Sequence, residues 1–323
     1  MLLARLRETL PTVKLPRRRS AARDSTLTKL TLPAVDTLAR LEAEALQILW
    51  ETRASLSPAG LMFSAGKDSA VVAHLVARAF AGAQPFPLIH YDSGSNFPEV
   101  LRYRDETASG YAARLISYSL PAVTRRKRGD AGRVGELLRL INQSVNDLDL
   151  RALIGGGRRD EDLVRAKERI FSLRDNQGGW NPHAQRPEPW GIYNTELSRG
   201  EHLRVFPLSN WTERNVWEYI AREQIQLPSI YFAHERLVVR RGNAWIAVSP
   251  DTKLRAHEDP VFRRVRCRTA GDRLTTGFIE SSATNAAEIL AELLESRVSE
   301  RAGRVEDQGR GTDMESRKRL GWP

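Results

Sequence analysis

The run FSAGKDSAVVAHL, Phe63–Leu75, sets two serines, a glycine, a lysine and an aspartate between a short apolar segment and a helical pattern. A glycine-containing turn that opens a helix directs several backbone N–H groups outward. The helix dipole adds positive potential there, so such a turn collects phosphate oxygens. Two familiar versions do not fit. The mononucleotide loop G-x-x-x-x-G-K-[ST] fails because Leu61 stands six residues before Lys67 and Asp68 follows the lysine. The dinucleotide fingerprint G-x-G-x-x-G is absent as well. What remains is S-x-G-K-D-S, with Ser64, Gly66, Lys67, Asp68 and Ser69 as the candidate phosphate-binding residues. The alternative is a serine-capped helix start with an incidental lysine.

Such a turn needs a strand before it and a helix after it. Asp36–Arg53 carries apolar residues at a period near 3.6 and reads as a helix. Gly60–Phe63 reads as a strand, and Val71, Val72, Leu75, Val76 and Phe80 share one face of the helix that follows the turn. PLIHY (Pro87–Tyr91), RALIGG (Arg151–Gly156) and LRVFPL (Leu203–Leu208) read as three more buried strands. Helices over about 98–113 and 132–146 flank ARLISY. Short apolar strands alternating with helices predict a doubly wound, mostly parallel α/β sheet covered on both faces. In that architecture ligands bind beyond the carboxyl ends of the strands. The exits Ser64–Ser69, Asp92–Asn96, Gly155–Asp160 and Ser209–Thr212 should therefore converge on one rim.

Composition narrows the class. The 323 residues are 41% apolar, enough for a large core, and no run of 18 apolar residues could span a membrane. A single cysteine, Cys267, excludes a disulfide framework and agrees with a reducing cytoplasm. The net charge of +10 is uneven: residues 1–30 hold Arg5, Arg7, Lys14, Arg17, Arg18, Arg19, Arg23 and Lys29 against Glu8 and Asp24. The expected organisation is a basic, flexible arm over 1–30, a nucleotide-binding domain over 31–230, and a carboxyl-terminal extension over 231–323 suited to a partner. Basic excess fits nucleic acid, an anionic substrate or an acidic partner.

The S-x-G-K-D-S turn resembles the PP-loop of the N-type ATP pyrophosphatases, which grip the β and γ phosphates of ATP and cut at the α phosphate. Further blocks narrow the likeness: GGGRRDEDLVRAKERIFSLRD (Gly155–Asp175), QRPEPW (Gln185–Trp190), RVFPLSNWTERNVWEYI (Arg204–Ile220) and SERAGRVED (Ser299–Asp307). From about Leu30 onward the chain resembles the small, catalytic subunits of bacterial sulfate adenylyltransferase. That resemblance implies an adenine nucleotide alpha hydrolase-like fold, with ATP and sulfate as substrates and Mg²⁺ as cofactor. It further implies adenosine 5′-phosphosulfate and pyrophosphate as products, and a large GTPase subunit, with its GTP, as partner.

On that reading Lys67 and the turn amides hold the leaving pyrophosphate. Arg158 and Arg159, just beyond a strand and a Gly-Gly-Gly that admits close backbone approach, suit sulfate or the α phosphate through bidentate contacts. Asp160 and Glu161 orient those arginines or contribute to a magnesium site. Arg169 joins the sulfate or α-phosphate group, and Arg165, Lys167 and Arg174 extend the positive field. Arg165 and Lys167 equally suit a solvated face paired with nearby acids. By resemblance Asp92 lies near the nucleoside, although a strand-terminal aspartate also caps turns. His90 should face the sheet interior, Trp211 and Trp217 should be core, and Cys267 lies among arginines that could lower its pKa.

The chain departs from the family pattern at several loops. RTAGDRLTTG (Arg268–Gly277) lacks the family's cysteine, aromatic and proline. VSPDTKLRAHEDP (Val248–Pro260) lacks its acidic run. Ser95 and Asn96 stand where an aromatic or basic residue is usual, and VTRRKRGDAGR (Val123–Arg133) diverges where a loop could cover the site. A paralogue serving a specialised pathway, or one activating another oxyanion, fits these differences. A reductase that attacks with a tail cysteine does not, because no cysteine follows Cys267. An RNA-modifying enzyme or nucleic-acid binder is disfavoured, since much of the basic surplus sits in one arm and no RNA module is present.

Overall fold

The computed structural model describes residues 36–120, 130–161, 163, 165–249, 252–273 and 276–295. The arm 1–30, most of Val123–Arg133 and the block Ser299–Asp307 lie outside the described residues. Helix α1 (Thr37–Ser55) begins at Asp36, whose carboxylate accepts from Leu38 N–H at 3.0 Å. The chain then alternates through β1 (Ala59–Met62), α2 (Lys67–Ala79), β2 (Leu88–Asp92), α3 (Pro98–Gly110), β3 (Leu115–Ser119), α4 (Asp130–Asp147) and β4 (Ala152–Ile154). After β5 (Phe171–Arg174) and β6 (His202–Val205) comes α5 (Glu213–Glu223).

These six strands form one sheet in the order β3-β2-β1-β4-β6-β5. Every pairing is parallel except β5 with β6. Strands β3 and β5 extend the sheet beyond the four read from the sequence. Alternation along the strands divides the core. Leu61, Leu88, Ile154 and Val205 pack in the same core as residues of α1, α2 and α5, while Ile89 and Leu153 pack against Ile141 and Val145 of α4. Helices therefore cover both faces, as the doubly wound reading requires. Because β1, β2, β4 and β6 run parallel, their four exits share one rim.

A second unit of sheet was not foreseen. Strands β7 (His234–Arg241), β8 (Ala244–Ala247), β9 (Val261–Cys267) and β10 (Gly277–Glu280) close into a small antiparallel barrel in the order β10-β8-β7-β9, followed by α6 (Ala286–Glu295). The barrel is tied to α3 by an edge-on contact of Phe97 with Phe278 and by Arg236, which lies 5.3 Å from both rings and pairs with Glu99. Arg266 of β9 pairs with Glu292 of α6 at 2.8 Å.

At the β6 exit, the Thr212 hydroxyl accepts from Asn215 N–H at 3.1 Å and Asn215 Oδ1 accepts from Thr212 N–H at 3.0 Å, a reciprocal cap for α5. Thr212→Ala should lower stability by about 1 kcal/mol. The check is a reduced urea midpoint with an unchanged slope.

Candidate active site

The rim carries a cleft of about 260 Å³. The turn after β1 forms one wall through Ser64, Gly66, Asp68 and Ser69; the β4 exit forms the other through Gly155, Gly156 and Gly157. Ala65 takes the left-handed backbone (φ 58°) and swings the chain into α2, with Gly66 at its N-cap. The Ser64 and Ser69 hydroxyls lie 3.2 Å apart, and Ser69 Oγ donates to Gly66 O at 2.9 Å. The first-turn amides of a helix have no intrahelical partner. Lys67 N–H donates to the Tyr231 hydroxyl at 3.0 Å, which leaves the amides of Asp68 and Ser69 as the next ones in line for an anion. Gly156 packs on that same backbone: a Cβ there would stand 3.0 Å from Asp68 C and 3.2 Å from Ser69 N.

Asp68 joins the two walls. Its Oδ2 accepts from Lys67 Nζ at 2.9 Å and its Oδ1 from Arg158 Nε at 2.9 Å. Both cations are fully buried, whereas Asp68 is 20% exposed toward the cleft. Arg158 also stands 3.6 Å from Asp160 and 3.9 Å from Glu161, so several carboxylates balance the cations beneath the turn.

The sequence-selected residues divide by position. Ser64, Gly66, Asp68 and Ser69 line the cleft with Glu161, and Lys67 and Arg158 act from behind Asp68. Arg159 is directed elsewhere, and Asp160 lies between Arg158, 3.6 Å from its Oδ2, and the start of α5. Arg159 Nη1 donates to Asn210 at 2.6 Å, its Nε donates to Glu168 O at 3.3 Å, and Asp160 Oδ2 accepts from Glu213 N–H at 3.1 Å, which satisfies an α5 amide. Asp92 Oδ1 accepts from Gly94 N–H at 2.6 Å and Asn96 Nδ2 at 2.9 Å, so it caps the turn after β2. Arg169 is half-buried and outside the cleft's lining. Arg174 is a correction to the positive-field reading: it is completely buried and paired with Glu168 at 2.5 Å. Arg165, left open between site and surface, lines the cleft and pairs with Glu161 Oε2 at 3.0 Å.

Cys267 is inert. Burial pushes its thiol up to about 12, outweighing the neighbouring Arg266 and Lys67, so it is no thiolate nucleophile. His90 is buried with Nδ1 2.9 Å from Phe63 O, and burial lowers its pKa. Trp211 and Trp217 are core, Trp217 meeting Tyr231 edge-on at 6.0 Å. Tyr231 escaped the sequence reading because it lies 164 residues from the turn it buttresses. Its hydroxyl also accepts from Ala270 N–H at 3.1 Å, so one phenol fixes both the phosphate turn and the divergent loop after β9. That loop supplies Thr269 and Ala270 to the cleft. It also touches the divergent β2 exit: Ser93 Oγ donates to Asp272 Oδ2 at 2.9 Å and Arg273 N–H to Ser95 O at 2.8 Å.

Among the described residues no three His, Cys, Asp or Glu side chains gather as a metal cluster. Asp160 is engaged as above, and Glu161 accepts from Arg158 N–H through Oε1 and pairs with Arg165 through Oε2. Both carboxylates proposed for magnesium thus have partners within the protein.

A family model for the phosphoadenosine phosphosulfate reductase domain matches residues 59–277. The chain is similar to sulfate adenylyltransferase subunit 2 of Streptomyces lavendulae, 44% identical over 309 residues that cover 94% of this chain and 97% of that protein. It is similar to the subunit 2 of Mycobacterium tuberculosis H37Rv, 46% identical over 87% of this chain and 93% of that protein. The Mycolicibacterium gilvum subunit 2 is 45% identical over 88% and 94%.

Removing the shared carboxylate by Asp68→Asn leaves two buried cations less compensated and should cost about 3 to 5 kcal/mol. Added inorganic pyrophosphate should raise the variant's melting temperature more than the wild type's, as thermal unfolding with and without the anion would reveal. Cys267 should resist a thiol reagent at pH 8 in the native protein and react once urea unfolds it.

Proposed function

The chain belongs to the phosphoadenosine phosphosulfate reductase domain family and, within it, to the sulfate adenylyltransferase subunit 2 proteins; from that premise we propose how its rim carries out adenylyl transfer. A sulfate oxygen attacks the α phosphorus of ATP, the bond from that phosphorus to the bridging oxygen of the β phosphate breaks, and pyrophosphate leaves with the electron pair. No proton need move. Catalysis is then positioning and charge stabilisation, which is what a rim without a poised base can supply.

The observation that carries this reading is Asp68 held between Lys67 and Arg158 at 2.9 Å each. With that pair behind it, the acid at the mouth of α2 is matched by cations, and the helix dipole and first-turn amides are left to act on the departing pyrophosphate. Ser64 and Ser69 offer hydroxyls, and the amides of Asp68 and Ser69 offer backbone donors. In this proposal Lys67 and Arg158 are positioning residues acting through Asp68. Arg165 is the guanidinium at the cleft available to the α phosphate, with Glu161 orienting it. Arg159 and Asp160 brace the β4 exit against the β6 exit. Any magnesium would arrive on the phosphates of ATP, where it would offset their charge, with Asp68 and Glu161 as the carboxylates lining the cleft.

The name subunit 2 implies a partner subunit. A GTPase is the partner proposed here, as the resemblance of the sequence blocks implies, and the barrel with the chain after it is the proposed contact region. Cytoplasm is the proposed compartment; among the described residues no helix is long and apolar enough to cross a membrane.

The test is pyrophosphate release from ATP with sulfate, selenate or molybdate, with and without the GTPase subunit. Release that depends on sulfate and rises with the partner is expected. Release indifferent to every oxyanion overturns the reading. RNA affinity that falls steeply with salt and ignores ATP would point to the nucleic-acid alternative.

A further inference from the structure

Arg204 of β6 is fully buried, and its guanidinium has almost no company. Nη1 donates to the Met62 thioether at 3.1 Å, a weak acceptor, while Nε and Nη2 have no hydrogen-bond partner. The nearby acid, Glu168, is already committed to Arg174 at 2.5 Å and to the Ser172 hydroxyl at 3.2 Å. Arg174 itself repels Arg204, and burial with that repulsion lowers Arg204 to about 10, which still leaves it charged near neutrality. Tyr91 offers no counter-charge, since burial pushes its phenol up to about 12 and its hydroxyl sits 2.6 Å from Ser144 Oγ. Buried charges in folded proteins are normally paired, because isolating one costs several kcal/mol. Arginine forks without acceptors are prepared for an acceptor that arrives from outside.

The geometry says from where. Arg204 stands opposite Leu153, which stands opposite Gly60, so its backbone belongs to the Gly60 row of the sheet. Its guanidinium nevertheless reaches the sulfur of Met62, two residues further toward the rim. Met62 and Tyr91 both line the cleft. The side chain thus climbs toward the cleft floor and stops under a methionine, the apolar residue most able to change rotamer. Met62 lies two residues before Ser64, so an anion at this spot would sit beside the phosphate turn yet apart from the α2 amides.

We propose that Arg204 is the acceptor-anion residue of the cleft, its guanidinium taking two oxygens of a tetrahedral dianion once the Met62 side chain swings aside. The proposal rests on the adenylyl-transfer reading for the identity of that dianion as sulfate. It gives the two anions separate seats: the triphosphate tail on α2, the acceptor on β6.

The kinetic test is Arg204→Met in the full chain assayed with its partner subunit. If the charge awaits substrate, its removal leaves the melting temperature unchanged or higher, raises KM for sulfate at least tenfold and moves KM for ATP by less than twofold. Arg204→Lys, which keeps the charge and loses the fork, should fall between. A folded Arg204→Met enzyme with wild-type KM for sulfate overturns the proposal. The direct test needs no variant: crystals of the full chain soaked in selenate, with selenium located by anomalous scattering. Selenium within about 4 Å of the Arg204 guanidinium, a hydrogen-bonded separation plus one Se–O bond, supports the assignment. Selenium elsewhere in the cleft, or none near Arg204 at a concentration that saturates turnover, overturns it. Sulfate-independent pyrophosphate release by the wild-type complex would sink the adenylyl-transfer reading alone, and the selenium position would still decide whether Arg204 holds an oxyanion.

Discussion

One carboxylate between two buried cations organises this rim. Asp68 belongs to the first turn of α2, Lys67 is its chain neighbour, and Arg158 comes from the β4 exit 90 residues away. The three groups are interdependent. Without Asp68 the two cations would lose a shared counter-ion; without the cations an acid at the mouth of a phosphate turn would repel the ligand. Held together, they tie the two walls of the cleft to each other. The close approach of Gly156 to the backbone of Asp68 and Ser69 is the steric side of the same constraint, since any side chain at that position would push the walls apart.

Much of this was legible in the sequence because it is local. A strand, a turn with glycine and lysine, and a helix are written in consecutive residues, and parallel α/β alternation then forces all four polar exits to one rim. What was illegible depends on long-range contact. Tyr231 carries no motif, and its importance arises where β9's following loop, α5's Trp217 and the phosphate turn meet. The barrel was hidden for a similar reason: β7 and β9 are rich in arginine and partly exposed, and β8 and β10 span only four residues each, so the pattern resembles a charged tail. Charge itself misled at Arg174, and at Cys267 burial overrode it. A run of arginines reads as surface field, yet a sheet edge buried one of them beside Glu168, and desolvation of the thiol outweighed the cations around it.

The departures from the family pattern acquire a meaning in three dimensions. The Arg268–Gly277 and Asp92–Asn96 segments are far apart in sequence, yet Ser93 meets Asp272 and Ser95 meets Arg273 across the cleft's edge. A change on one side of such a contact alters what the other side can accommodate, so the two stretches are best understood as one altered surface. That surface includes Thr269 and Ala270, which line the cleft, and Tyr231 ties it to the phosphate turn. The residues Lys67, Asp68 and Arg158 are kept in the sequence, so the divergence changes what surrounds the phosphate turn rather than the turn itself.

The arginines of the rim also sort by how their charge is balanced, and that sorting bears on mechanism more than their number does. Arg158 and Arg174 face carboxylates within 2.9 Å and are structural charges, already neutralised in the resting protein. Arg165 is paired with Glu161 at 3.0 Å where both line the cleft, so a phosphate oxygen there would compete with that carboxylate. Arg204, buried with its fork unanswered, is the least compensated of the four. Stability alone would favour an apolar residue there. A buried cation that weakens the resting fold is a sensible feature only if the missing negative charge belongs to the working state, and a dianion that must approach a polyphosphate is the reactant most in need of it.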